Sequence, residues 1–151
     1  MRDDPIRILI VEARADARLA DTLLAGAKDA LAKGDAEFSV VAVPGALEIP
    51  AVVAMAEEGG HRPAGVRYDG YVALGCVIRG ESMHYGIAVG EVARALNDLA
   101  IGRRLAIGNG VLAVETAAEA QAFAEAGAGA EAARAALAVV DLKRKLLGQA
   151  R

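Results

Sequence analysis

A chain of 151 residues is the size of one domain, and 55% apolar residues are enough to bury a core. Its 17 basic and 20 acidic residues leave a net charge of −3, which argues against nucleic acid as a partner, since a basic face is the usual footprint. The single cysteine, Cys76, excludes an intrachain disulfide or a cysteine-built zinc site, and no metal is expected. No apolar run reaches the ~18 residues of a membrane span. Met1–Pro5 is polar and Ile6–Val11 too short for a signal core, so a cytoplasmic location is expected.

Ile6–Val11 reads as a short buried strand. Asp16 is placed to cap a helix running to about Lys33, with Leu19, Leu23, Leu24, Ala27 and Leu31 on one face, and Gly34-Asp35 ends it. Phe38–Val43 is a second strand, closed by Pro44-Gly45. A helix over Leu47–Glu58 carries Pro50 in its first turn, where proline is tolerated. Residues 59–67 hold three Gly, one Pro and two Arg and read as a surface loop. Asp69–Ile78 is the third strand, His84–Leu99 a helix and Arg104–Gly108 the fourth strand. Ala117–Ala126 and Glu131–Leu147 are the last helices, separated by Gly127 and Gly129. With three Tyr, two Phe and no Trp, aliphatic and alanine packing must fill the core.

Apolar strands joined by helices in the order βαβαβαβαα imply an α/β fold. Its four-stranded parallel sheet is flanked by helices, with strands buried on both faces and right-handed crossovers. Ligands in such sheets bind outside the carboxyl ends of the strands. Those ends are expected at Glu12-Ala13-Arg14, Pro44-Gly45-Ala46, Arg79-Gly80-Glu81 and Gly108-Asn109-Gly110, and the site is expected where they gather.

The third of these ends is the most informative. An apolar strand runs into Arg79-Gly80, a short polar turn follows, and His84 stands at the mouth of a helix. Glycine lets backbone amides approach a ligand, and a helix start favours an anion such as phosphate. Histidine adds a group suited to moving protons near neutrality. An enzyme acting on a small phosphorylated molecule fits this combination. Each residue also has a plainer reading. A lone histidine at a helix start is usually structural or solvated. Glu48 is a favourable acid in a first helical turn, or a carboxylate accepting hydrogen bonds from a polyol. Arg79 and Arg14 bind an anion or brace their turns. Cys76 reads as a small buried hydrophobe, His61 as merely exposed, and Arg103-Arg104 as a solvated strand start.

Pro44-Gly45-Ala46-Leu47-Glu48-Ile49-Pro50 and Gly75-Cys76-Val77-Ile78-Arg79-Gly80-Glu81-Ser82-Met83-His84-Tyr85, with Gly110-Val111-Leu112, resemble the lumazine synthase family over nearly the whole chain. The resemblance implies a three-layer flavodoxin-like fold and a homo-oligomer built on pentamers. It also implies condensation of 5-amino-6-(D-ribitylamino)uracil with 3,4-dihydroxy-2-butanone 4-phosphate, without a cofactor. His84 matches the family's catalytic histidine. Glu81 and Ser82 match the pair that holds the substrate phosphate. Ala46, Leu47 and Glu48 match the stretch contacting the ribityl-uracil, with Glu48 at the ribityl hydroxyls. Cys76, Val77 and Ile78 match the strand beside the pyrimidine. Ala15 stands where the family stacks an aromatic on the uracil, and Asn109 replaces a second aromatic near the end of strand four.

The family's late arginine falls near Phe123 or Glu125, and its late lysine turn is shortened to Gly127-Ala128-Gly129. Each lost charge-assisted contact is worth ~1.5–3 kcal/mol, so weaker phosphate binding and attenuated turnover are expected. This keeps a second reading open: a paralogue that retains the fold and assembly as a shell-forming protein or flavin-precursor binder. A receiver domain, suggested by Ile8–Glu12, would need an aspartate at the end of strand three, where Ile78-Arg79-Gly80 stands. Flavodoxin-type FMN binding lacks stacking aromatics.

Overall fold

The computed structural model describes residues 4–81 and 84–148. Strand β1 spans Arg7–Ala13, and every residue after Arg7 is buried, which requires cover on both faces. Helix α1 spans Ala17–Lys33; the Asp16 carboxylate accepts the Leu19 N–H at 3.0 Å and so fixes its start. Replacing Asp16 by alanine leaves that donor unpaired. It is expected to cost about 1 kcal/mol and roughly 2–4 °C in thermal unfolding followed by circular dichroism. The α1 chain turns at Gly34 and at Asp35, whose φ is +57°.

Strand β2 (Glu37–Val43) leads through one tight turn, Ala46–Glu48, into helix α2 (Ile49–Gly59), with Pro50 in its first turn. Strand β3 (Gly70–Ile78) leads through a similar turn, Arg79–Glu81, to helix α3 (Tyr85–Arg103). Strand β4 (Ala106–Val114) is followed by helices α4 (Ala117–Glu125) and α5 (Ala128–Leu147). Thr116 caps α4 by accepting from Glu119 N–H, and the Glu119 carboxylate accepts the Glu115 N–H in return.

All strand pairs are parallel and the order is β2-β1-β3-β4, as in a flavodoxin-like sheet. Successive residues of a strand face opposite sides, and this period of two divides the core. Ile8, Ile10, Val72 and Leu74 pack under α1, α4 and α5; Leu9, Val11, Tyr71 and Ala73 pack under α2 and α3. Burying each large aliphatic side chain contributes ~1.5–3 kcal/mol. Alanine fills the first side, with Ala27, Ala133 and Ala136 wholly buried. Backbones therefore approach closely: a Cβ added at Gly108 would lie 1.9 Å from the Ala132 carbonyl oxygen, and one at Gly129 would lie 2.0 Å from that of Leu23.

Three expectations are corrected. Strand β4 is not Arg104–Gly108 but Ala106–Val114, so Gly108-Asn109-Gly110 lies within the strand rather than at its carboxyl end. Those glycines do not mark a turn; they are where the strand passes beneath α5. Arg103 is the last residue of α3 and Arg104 its left-handed cap at φ +56°, so neither starts a strand. Burial on both faces holds for β1 and β3 but fails for the edge strand β2, where Ser39, Val40 and Ala42 are exposed. At the other edge, the exposed Asn109 accepts the Val111 N–H through Oδ1 at 3.0 Å.

Candidate active site

At the carboxyl edge of the sheet a cleft of about 400 Å³ opens. Ala15, Asp16 and Leu19 form one wall where β1 passes into α1. Ala46, Leu47 and Glu48 form another, in the turn before α2. Cys76, Val77 and Ile78 supply the end of β3, and Ala117 and Gln121 enter from α4. Of the residues singled out in the sequence, Ala15, Ala46, Leu47, Glu48, Cys76, Val77 and Ile78 are thus brought together. Ala88 of α3 also lines the cleft, and His84 is the N-cap of that helix one turn earlier. Glu81 closes the turn that precedes it. Ser82 lies outside the described residues. Asn109 pairs with Ala73 in mid-strand and is not among the residues lining the cleft.

Local chemistry explains these positions. The Glu48 N–H donates to the Gly45 carbonyl at 3.1 Å and closes the turn. A Cβ at residue 45 would stand 3.1 Å from Glu48 Oε1, so the missing side chain leaves room for the carboxylate. Glu48 sits at the start of α2, where the helix dipole favours an acid, and it lines the cleft as well. Cys76 is half-buried rather than sealed in the core. Among the described residues, helix α3 begins with neither a side-chain cap nor an acidic residue in its first turn, and such a helix start favours an anion.

The two arginines flanking the cleft are engaged. Arg14 Nη1 donates to Glu12 Oε1 at 2.8 Å and Nη2 donates to Asp21, tying the end of β1 to α1. Its hydrogen bonds to Asp21, and then to Glu12, raise the Arg14 pKa above its ordinary value. Glu12 is the buried charged residue among those described, and this pairing compensates its removal from water. Arg79 Nε donates to Glu115 Oε2 at 2.9 Å, and its guanidinium lies 4.5 Å from the Tyr85 ring centroid. Glu115 is the main reason the Arg79 pKa is raised. Arg79 therefore joins the ends of β3 and β4 to the start of α3.

His61 is exposed but not merely solvated: its Nε2 lies 3.1 Å from Glu57 Oε2, and Tyr71 Oη donates to Glu57 Oε1 at 2.8 Å. Burial, and then this carboxylate, push the Tyr71 phenol pKa up. That network borders a smaller cavity of about 140 Å³, shared with Asp69 and Arg144. Among the described residues, no group of three or more His, Cys, Asp or Glu could hold a metal, and no helix is long and apolar enough to cross a membrane.

Sequence reasoning missed Gln121. The signal was present: Ala117 and Gln121 are four residues apart, on one face of α4. That spacing puts the glutamine on one face with Ala117 and Glu125.

A three-layer parallel α/β sheet with its cleft at the carboxyl edge defines a flavodoxin-like protein. Sequence comparison narrows the class. The sequence model of 6,7-dimethyl-8-ribityllumazine synthase matches residues 5–144, and the chain belongs to that family. It is 52% identical over 145 residues to 6,7-dimethyl-8-ribityllumazine synthase 1 of Rhizobium meliloti, covering 94% of each chain. It is 51% identical over 144 residues to the Agrobacterium fabrum synthase, covering 93% of this chain and 97% of that one. The Methylobacterium radiotolerans synthase is 55% identical over 141 residues, or 91% and 82% of the two chains.

Proposed function

We propose that this chain is a transferase of riboflavin biosynthesis that forms 6,7-dimethyl-8-ribityllumazine. Its substrates are 5-amino-6-(D-ribitylamino)uracil and 3,4-dihydroxy-2-butanone 4-phosphate. The observation that carries this reading is the single cleft in which the Ala46–Glu48 turn and the Cys76–Ile78 strand end face each other across the sheet edge. Glu48 accepts hydrogen bonds from the ribityl hydroxyls, and Cys76–Ile78 flank the pyrimidine. The start of α3, with Glu81 and Ser82, holds the phosphate. The 5-amino group attacks the ketone and water leaves to give an imine. Phosphate is then eliminated, and the ribitylamino nitrogen closes the ring with loss of a second water. His84 carries the protons between these steps. Much of the acceleration comes from holding two substrates in register. A steady-state assay with both substrates should give lumazine at a rate proportional to protein. Folded protein that binds the pyrimidine but yields no lumazine would leave only the binding paralogue.

One observation favours attenuated turnover. No Lys or Arg is among the described residues lining the cleft, so no cation from that lining pairs with the phosphate held at the start of α3.

The assembly is part of the same proposal. Met55 and Val66 are exposed to 68% and 47% and border an open groove over Leu9, Val41, Val52 and Tyr68. Contiguous apolar surface of this kind marks an interface. We read it as covered by further copies of the chain in a pentamer-based homo-oligomer, working on small molecules in the cytoplasm. Light scattering at micromolar protein should give five times the subunit mass of 15.4 kDa, or a multiple of five. A clean monomer or dimer rules the pentamer out.

A further inference from the structure

Among the described residues the cleft contains one side-chain amide, and its orientation is fixed. Gln121 Nε2 donates to Thr22 Oγ1 at 3.1 Å and to Glu125 Oε2 at 3.0 Å. Thr22 spends its only hydroxyl hydrogen on the Arg18 carbonyl at 3.0 Å, so toward Gln121 its oxygen can only accept. An ionised Glu125 carboxylate also only accepts, and Arg18 Nη2 reaches the same oxygen, Oε2, at 3.4 Å. Both partners demand the NH2 group, and both amide hydrogens are consumed. The atom left for the cleft is the carbonyl oxygen, Oε1, to which no described residue donates a hydrogen bond.

The rest of the lining is of the same polarity. Asp16 and Glu48 present carboxylates, and no Lys or Arg lines the cleft among the described residues. Such a surface selects a ligand rich in N–H and O–H donors and disfavours an anion at this end. A polyol chain satisfies Glu48. A flat ring bearing N–H groups remains for the opposite wall, where Ala15 and Gln121 stand.

We infer that Gln121 Oε1 accepts a ring N–H of the pyrimidine substrate, making Gln121 a specificity residue held in register by Thr22, Glu125 and Arg18. This rests on the reading of the cleft as a ribitylaminouracil site. A site built around a hydrogen bond to a ligand N–H rejects the analogue lacking it, because its polar group is left unpaired.

The first test uses the unaltered protein. Competition binding is measured for the pyrimidine substrate and for analogues methylated at each ring nitrogen in turn. One methylation should weaken binding roughly tenfold. If neither does, the inference is overturned. In Gln121→Leu that methylation penalty should vanish. The KM for the pyrimidine should rise about tenfold, while the KM for the butanone phosphate stays within about twofold. A variant that raises both KM values equally, or neither, also overturns it. The two readings fail separately. A methylation penalty without turnover sinks the synthase activity and keeps the Gln121 contact; turnover without a penalty does the reverse. A pyrimidine that does not bind at all removes both.

Discussion

Replacing His84 by alanine should lower kcat about 100-fold or more while leaving the fold in place. The two effects separate because of where the residue sits. Its ring makes no capping hydrogen bond to α3, so the helix does not depend on the imidazole for its start. The turn is closed by backbone: the His84 carbonyl accepts the Ala88 N–H at 2.7 Å, and alanine keeps that bond. A change in stability well below 1 kcal/mol is therefore expected from the cap itself, against roughly 2.7 kcal/mol for a hundredfold loss in rate. The loss should appear in single-turnover experiments at saturating concentrations of both substrates, with the melting temperature and particle mass unchanged. Unaltered single-turnover rates would take His84 out of the chemistry. Residual activity is expected in any case, because holding two substrates together accelerates their reaction without a proton carrier.

Gly108→Ala should destabilise the protein by about 3 kcal/mol or more, lowering the melting temperature by roughly 6–12 °C. The added methyl would meet the Ala132 carbonyl oxygen at 1.9 Å and the carbonyl carbon at 2.8 Å. A clash with a flexible side-chain tip would be relieved by a rotamer change. This one falls on main chain inside α5, and relief requires moving the helix off β4. That helix also carries Gly129 against the Leu23 carbonyl of α1, so a shift there is transmitted to a second contact. Trimming the neighbouring side chain should not help: the double variant Gly108→Ala, Ala132→Gly is expected to melt no higher than Gly108→Ala alone. Gly102→Ala provides the contrast, since nothing lies within 4 Å of a Cβ there and its melting point should hold or rise slightly. Equal melting points for Gly108→Ala and Gly102→Ala would contradict the close approach of α5 to the sheet.

The element order was legible because the hydrophobic periods were clean. The apolar run of β1 and the leucine spacing of α1 carried their assignments, and Asp16 carried a boundary to the residue. Strand β4 was cut short because Gly108-Asn109-Gly110 carries turn chemistry; what the glycines serve is the nearness of α5, a contact with residues more than twenty positions away. Arg104 was misplaced for a related reason, since a left-handed cap formed by arginine leaves no compositional mark. The local motifs were enough to single out Ala46–Glu48 and Cys76–Ile78, which line the cleft, because each is a continuous stretch at a strand or turn end. Gln121 escaped because its meaning lies in partners on α1, ninety-nine positions away for Thr22. A bracing role for Arg79 in its turn was legible, but its partner was not, because Glu115 reaches it only once β3 and β4 lie side by side.

Asn109 bears on how copies of this chain can join. A border strand normally exposes a row of donors that a strand from another molecule can use as a template, and fibres grow in this way. Here the Asn109 amide oxygen already occupies the Val111 N–H, interrupting that row near the middle of β4. Continuation of the sheet from one molecule into the next is thereby discouraged on this side, and association is directed to the helical and apolar surfaces. An aromatic side chain at 109 would leave the Val111 N–H open, because it carries no comparable acceptor. The asparagine thus guards this edge of the sheet against open-ended growth.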